Sequence, residues 1–333
     1  MNRNSEAIII LCSHLCTSEE IKPLEAHEWS QLAQKLLERN LQPETLLDYE
    51  RQDFISELSF SESEAIRYMR LLDRSGSLRF ELARYEDMGI QIVTRADSVY
   101  PKKLKSKLSN ACPPLFYCAG ELSLLNGPAV GYVGSRNIEL QDSNFTKKAV
   151  AATARRGYAV VSGGAKGVDS VSASAAMSEN VAVIEYLSDS MLRKMRDSGL
   201  ISKIRDGRIL LMSAVAPTAG FNVGTAMMRN RYIYAQSDGT VVVHSDKGKG
   251  GTWAGAIENL KKKLCPTFCY DYDYPGNQEL ICRGAIPIAE DWDGNINAAE
   301  KPLPVTPQIV TENKEAEQIS FDELLQTSAP SVK

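Results

Sequence analysis

Residues 160–170 read VVSGGAKGVDS: an apolar, strand-like run meets two adjacent glycines, a lysine, a third glycine and an aspartate, and a helix-forming stretch follows. Such a bend suits an anion. Gly163 and Gly164 can expose backbone amides to a phosphate, Lys166 can neutralise it, and Asp169 is placed to cap the next helix. Two other bends carry the same combination. AVGYVGSR at 129–136 supplies Gly134, Ser135 and Arg136, and DKGKGGT at 246–252 supplies Lys247, Lys249, Gly250, Gly251 and Thr252. Between them, AMMRNRYIYA brings Arg229, Asn230 and Arg231, a pattern able to clamp phosphate in bidentate fashion. None of these is the dinucleotide pattern G-x-G-x-x-G or a Walker loop, and each glycine bend alone is also compatible with a plain strand-to-helix turn. Tyr132, Tyr232, Tyr234 and Trp253 flank the cationic bends. They can stack on bases or pack in a core.

The elements that position these bends alternate. From residue 129 the chain repeats strand, glycine bend and helix, with apolar, β-branched runs at VAVIEYL (181–187), RILLMSAV (208–215), GTVVVHS (239–245) and PTFCYDY (266–272). Helices are expected near 142–156, near 170–178 and over WAGAIENLKKKL. This pattern predicts an α/β fold with a mostly parallel sheet covered on both faces. In such a sheet the strand ends that feed helices share one edge, so the cationic bends converge there. The first hundred residues read instead as short helices. WSQLAQKLLER (29–39) puts Leu32, Leu36 and Leu37 on one face, and SESEAIRYMRLLDR (61–74) aligns Ile66, Met69 and Leu72 behind a serine cap. GIQIVTRADSVYPKKL and PPLFYCAG are further extended pieces, and NGP at 126–128 is a linker. The expected organisation is a helical domain over 1–88, a sheet domain over 89–288 and an acidic, disordered tail over 289–333. The tail's one apolar cluster, ISFDELL at 319–325, can dock as a short helix or pack on its own domain.

Charge follows the same division. Residues 129–271 hold 19 Lys and Arg against 12 Asp and Glu, about +7, whereas 289–333 holds 3 against 9, about −6. The middle attracts anions. The longest early apolar run, AIIILC, is too short for a membrane span and lacks the flanks of a signal peptide, which predicts a cytoplasmic protein with no membrane partner. Seven cysteines, at 12, 16, 112, 118, 265, 269 and 282, form no paired C-x2-C arrangement, so reduced thiols are expected and neither a zinc site nor another metal or cofactor.

Several motifs in order resemble the DprA/Smf DNA-processing family: VGSRN (133–137), SGGAKGVD (162–169), GFNVGTAMMRNRYIYA (220–235), KGGTWAGAIENL (249–260) and NQELICRGA (277–285). The upstream DSVYPKKL and PPLFYCAGE also look like that family's approach to its core, and the KGGTWAGAIE form is similar to a DprA-like branch. The resemblance implies an extended Rossmann-like domain preceded by a small helical domain of SAM or helix-hairpin-helix type. It implies a non-enzymatic protein that binds single-stranded DNA during DNA processing and recombination, as a homodimer, with a RecA-type recombinase as candidate partner. By motif position Arg136 and Lys166 rank first as phosphate contacts and Arg229 and Arg231 second. Asn230 comes with the latter pair, and Gly134, Gly163, Gly164, Gly250 and Gly251 shape the pocket. Ser135, Lys249 and Thr252 complete the phosphate-binding set, with Trp253 and Tyr132 as stacking candidates. After 289 the winged-helix pattern of many relatives is not found, a departure that bears on recombinase loading.

Two alternatives use the same bends, a nucleotide-binding sensor and a nucleotide hydrolase. GGTWAGAIE partly resembles the P-G-G-x-G-T-x-x-E loop of nucleotide phosphoribohydrolases, but the catalytic position is Gly255 and the nearest carboxylate is Glu258. His244 ends a strand near the expected site without a serine or cysteine partner at a nucleophile elbow.

Overall fold

The computed structural model describes residues 2–17 and 21–297; the ISFDELL cluster lies outside the described residues. The described residues form two compact units and the chain passes between them: those within 2–126 and Leu187–Gly220 make one, and those within Gly127–Tyr186 and 221–297 make the other.

Unit one begins with α1 (Arg3–Cys12), the AIIILC run, whose residues Ala7 to Cys12 are all buried. It continues through α2 (Ala26–Glu38), α3 (Arg51–Ser56), α4 (Glu62–Leu72) and α5 (Ser75–Asp87). The buried faces differ from those read in the sequence. In α2 Trp29, Leu32 and Leu36 face inward while Leu37 is 75% exposed. In α4 the buried face is Ala65, Tyr68 and Leu71, one residue round from the expected Ile66, Met69 and Leu72. Tyr68 sets that rotation. Its ring stacks on Phe54 at 5.3 Å and Phe60 at 4.9 Å, an apolar area larger than a leucine face offers. The expected serine cap of α4 is present as a full capping box between Ser61 and Glu64. Next come β1 (Gln91–Thr94), α6 (Lys102–Leu108), with Pro101 as its N-cap, and β2 (Leu115–Ala119).

Unit two opens with β3 (Ala129–Val133), α7 (Leu140–Arg155), β4 (Ala159–Ser162), α8 (Val168–Ser178) and β5 (Val183–Leu187). The chain then returns to unit one for α9 (Met191–Lys194), α10 (Ser198–Arg205) and β6 (Ile209–Ser213). β6 pairs antiparallel with β2, Tyr117 opposite Ser213, and β2 pairs antiparallel with β1. Unit two resumes with α11 (Val223–Gln236), β7 (Gly239–Val242), α12 (Gly250–Lys262), β8 (Thr267–Tyr270), α13 (Pro275–Cys282) and β9 (Ile286–Ile288).

Within unit two the strand order is β5-β4-β3-β7-β8-β9, and the neighbours given by register (β5–β4, β4–β3, β3–β7, β7–β8 and β8–β9) are all parallel. Counted from its own first strand, this is the 3-2-1-4-5-6 order of the doubly wound Rossmann fold. The fold is α/β and mostly parallel, with a helical region before it. β3 is the strand at which the order reverses, so the loops leaving β3 and β7 part around a crevice. Strands buried on both faces need apolar residues throughout, and β3, β5 and β7 are buried at every position.

One asparagine holds the exit of β7 in place. Asn277, fully buried on α13, donates to the carbonyls of Val243 and Tyr270 and accepts from the Ser245 amide, each at 2.9 Å. Three backbone groups at two strand ends thereby find partners where water does not reach. Replacing Asn277 by alanine leaves them unpaired at roughly 1–3 kcal/mol each before relaxation. Urea denaturation of Asn277→Ala is expected to show about 3 kcal/mol of lost stability; a loss under about 0.5 kcal/mol would contradict this role.

Candidate functional site

Three loops of unit two are locked to one another by backbone alone. The Ser135 amide donates to the carbonyl of His244, beyond β7, at 3.0 Å, and the Ser135 carbonyl accepts from Val168 at the head of α8 at 3.3 Å. Gly167 makes the second contact possible. Its φ is +77°, and a Cβ there would lie 2.2 Å from the Ser135 carbonyl oxygen and 2.7 Å from the Arg136 Cα. The loops after β3, β4 and β7 are therefore held at fixed distances.

They enclose a cavity of about 950 Å³ at the carboxyl ends of these strands. Its lining includes Gly134, Ser135 and Arg136 from the first loop, Lys166 and Asp169 from the second, and Lys249, Gly250, Gly251 and Thr252 from the third. Arg229 and Asn230 of α11 and Trp253 of α12 complete it. Arg136, Lys166 and Lys249 are exposed, and none has a carboxylate partner among the described residues. The last two stand just before α8 and α12, whose first-turn amides add partial positive charge. Lys247, by contrast, is paired with Glu279 at 2.9 Å.

The remaining expected residues are distributed differently. Gly163 lies under the cavity, where a Cβ would fall 0.9 Å from Nη1 of Arg229; the missing side chain is the space the guanidinium fills. Arg229 is buried, and its Nη1 donates to Asp169 Oδ2 at 3.4 Å. The same carboxylate oxygen accepts the Ala165 amide at 3.2 Å. Asp169 thus sits in the first turn of α8 and closes the SGGAKG bend, while Gly167 takes the cap position. Gly164 belongs to that bend with φ +64° but is not part of the cavity lining. Arg231 also points away from the lining. Its Nε lies 2.7 Å from Glu258 Oε1, both side chains nearly buried, and Lys262 reaches the same oxygen at 2.8 Å. Of the RNR segment, Arg229 and Asn230 thus border the cavity and Arg231 does not, and both guanidiniums hold α11 to its neighbours, because burial makes a carboxylate partner indispensable. Asn230 donates to the Gly251 carbonyl at 3.1 Å and fixes the third loop.

The two stacking candidates are placed differently, Trp253 in the cavity lining and Tyr132 outside it. Tyr132 is fully buried on β3, its hydroxyl bonded to Thr153 at 2.7 Å, and burial pushes its phenol up. Tyr232 and Tyr234 are buried, and Trp253 is 7% exposed with the Arg283 guanidinium 5.9 Å from its ring centroid. The aromatic ring left open to a ligand is one the sequence reading passed over. Phe221, 54% exposed, lines the cavity at the entry to α11, and the Arg136 guanidinium lies 5.6 Å from its ring centroid. Its signal was a lone aromatic inside the loop GFN, with no periodicity to draw it into a core.

The hydrolase alternative loses its carboxylate. Gly255 faces the Tyr234 ring at 3.2 Å from a built Cβ, and Glu258 is neutralised by Arg231 and Lys262. His244 does have a partner, Asp142, with Nδ1 2.9 Å from Oδ2, a pairing across 102 residues that no local pattern announces. Among the described residues no group of three metal-ligating side chains occurs, and no helix is long and apolar enough to cross a membrane.

The comparisons with known proteins agree with this fold. The family model for DNA recombination-mediator protein A matches residues 91–295. DNA processing protein DprA of Bacillus subtilis (strain 168) is 28% identical over 218 residues, covering 63% of this chain and 72% of that protein. The crystal structure of DNA processing protein A from Streptococcus pneumoniae superposes with a TM-score of 0.65 at 20% identity, over 84% of this chain and 99% of that one. DNA processing protein A from Helicobacter pylori, solved to show its single-stranded DNA binding mode, gives 0.50 at 24% identity over 63% and 93%. At these identities the two structures establish the shared fold, and the family model, spanning well over half of the sequence, establishes descent: the chain belongs to the DNA recombination-mediator protein A family.

Proposed function

We propose that the crevice of unit two binds single-stranded DNA as part of DNA processing and recombination. The observation that carries this reading is a cavity lined by Arg136, Lys166 and Lys249, all exposed and, among the described residues, without carboxylate partners, together with the exposed ring of Phe221. A single strand presents a phosphate at every nucleotide and bases with open faces. Cations on separate loops match the first, and a ring at the rim matches the second. A duplex hides its base faces, so Phe221 discriminates in favour of single strands. The binding described for the Helicobacter pylori relative supports the same assignment. The reading extends, on family membership, to a cytoplasmic homodimer that delivers its strand to a RecA-type recombinase.

The two kinds of contact separate experimentally. Each phosphate contact releases condensed counterions, so affinity falls steeply with salt. Fluorescence anisotropy with labelled oligonucleotides is expected to show binding that tightens with length. Arg136→Ala and Lys166→Ala should each weaken it and reduce the slope of log K against log salt by roughly one unit. Saturation by a mononucleotide, with no dependence on oligonucleotide length, would instead favour a small-nucleotide sensor.

Phe221→Ala is expected to act on affinity alone. One lost stack is worth roughly 1–3 kcal/mol, a five- to hundredfold weakening, with the salt slope unchanged and Phe221→Tyr restoring binding. A changed slope, or full affinity in the alanine variant, would remove Phe221 from the interface.

A further inference from the structure

Asp142 is a buried charge with an unusual set of neighbours. It lies in the first turn of α7 and is fully shielded from water. Oδ2 accepts the Glu139 amide at 3.0 Å and faces His244 Nδ1 at 2.9 Å, while Oδ1 has no hydrogen-bond partner. The other buried carboxylates of this region have arginine partners, Asp169 with Arg229 and Glu258 with Arg231. Asp142 has instead, besides the Glu139 amide, an imidazole and the neutral hydroxyl of Tyr274, and among the described residues no arginine or lysine. The amide dipoles at the head of α7 offset part of its charge.

His244 is held from several sides. Its carbonyl accepts the Ser135 amide, which ties its backbone to the loop of Arg136, and its ring stacks on Tyr274 with centroids 3.8 Å apart and planes 10° apart. A carboxylate accepts hydrogen bonds and cannot donate them, so Nδ1 carries the hydrogen and Nε2 is the ring atom left for a ligand. His244 lines the same cavity as Arg136 and Lys166.

We propose that His244 is a phosphate contact that takes up one proton when the anion binds. This rests on the strand-binding reading of the crevice and adds a residue and a proton to it. With His244 neutral, Nε2 presents a lone pair, and a phosphate oxygen arriving there meets a second acceptor and the charge of Asp142 behind it. With His244 protonated, one N–H bonds Asp142 and the other the phosphate, and the pair adds no net charge. The proton comes from solvent, and no bond other than that N–H forms.

The surrounding groups leave this role to His244. Tyr274, against the ring, has its hydroxyl pushed up by burial first and then by Asp142 and Glu139, so it stays neutral. From α7 come Asp142 and, at its cap, Glu139; from the β3 loop, Arg136; from the β4 loop and α8, Lys166 and the Asp169–Arg229 pair. The loop of His244 itself adds Asp246 and Lys247, the latter paired with Glu279 of α13. Imidazole is the side chain that ordinarily changes charge between about pH 5 and 8.

Calorimetric titration of the full chain with a single-stranded oligonucleotide, in two buffers of different ionisation heat, reads the proton directly. Wild type is expected to take up a fraction of a proton on binding, and its affinity to rise on acidification from pH 8.5 to 6, by less than tenfold per pH unit. His244→Gln should abolish the uptake and flatten the pH profile while its thermal unfolding stays cooperative. Asp142→Asn should also flatten the profile, and at pH 8.5 should bind more tightly than wild type, since the opposing charge is gone. With three histidines in the chain, the His244 ring resonance is assignable by its loss in the glutamine variant and should move to its protonated position on adding oligonucleotide. Arg136-dependent binding without proton uptake, or equal uptake in His244→Gln, would overturn the inference and leave strand binding standing. An absence of oligonucleotide binding at any pH would overturn both.

Discussion

The backbone of Ser135 is the joint on which the site depends. Its amide reaches the exit of β7 and its carbonyl reaches the head of α8, so the backbone of one residue ties together three loops that come from distant parts of the sequence. Loops on a protein surface ordinarily move independently, and cations carried on moving loops lose much of their advantage to the cost of ordering them. Here the joint is made by main chain, with Gly167 giving the approach that a side chain would block. Arg136, Lys166 and Lys249 are in consequence arranged before any ligand arrives.

A second layer of buried charge supports that joint. The cations that line up in the sequence fall into two classes with different physics. Arg229 and Arg231 are nearly buried, and each has a carboxylate, since an uncompensated guanidinium away from water would cost several kcal/mol. Arg136, Lys166 and Lys249 remain in water, where charge is cheap to maintain and available to a polyanion. Asp142 departs from this scheme, being buried and faced by a residue whose charge is conditional. On the proposed reading, such a site holds its geometry with fixed pairs and meets its ligand with open cations and one proton-dependent contact.

Much of this was legible in the sequence, for identifiable reasons. A parallel strand leading through a glycine bend into a helix is written locally, and so the bends at Gly134, Gly163 and Gly250 could be read and their convergence inferred from topology. What could not be read is what depends on partners far along the chain. Gly163 and Arg229 are 66 residues apart, and only the structure shows that one makes room for the other. Tyr132 is ambiguous in sequence because the same ring serves a core or a base, and burial decides for the core. The apolar run of β6 does not reveal that one of its neighbours is the antiparallel β2, about ninety residues earlier. Phe221 was missed because exposure, the property that makes it useful, leaves no pattern in sequence.

The central claim is spatial: cations from separate loops grip one strand at the rim of the sheet in unit two. A crystal structure of the chain with a short single-stranded oligonucleotide tests it most directly. The account requires phosphates within hydrogen-bonding distance of Arg136 and Lys166 and a base against the Phe221 ring. A strand bound on another surface, with the crevice empty, would contradict it.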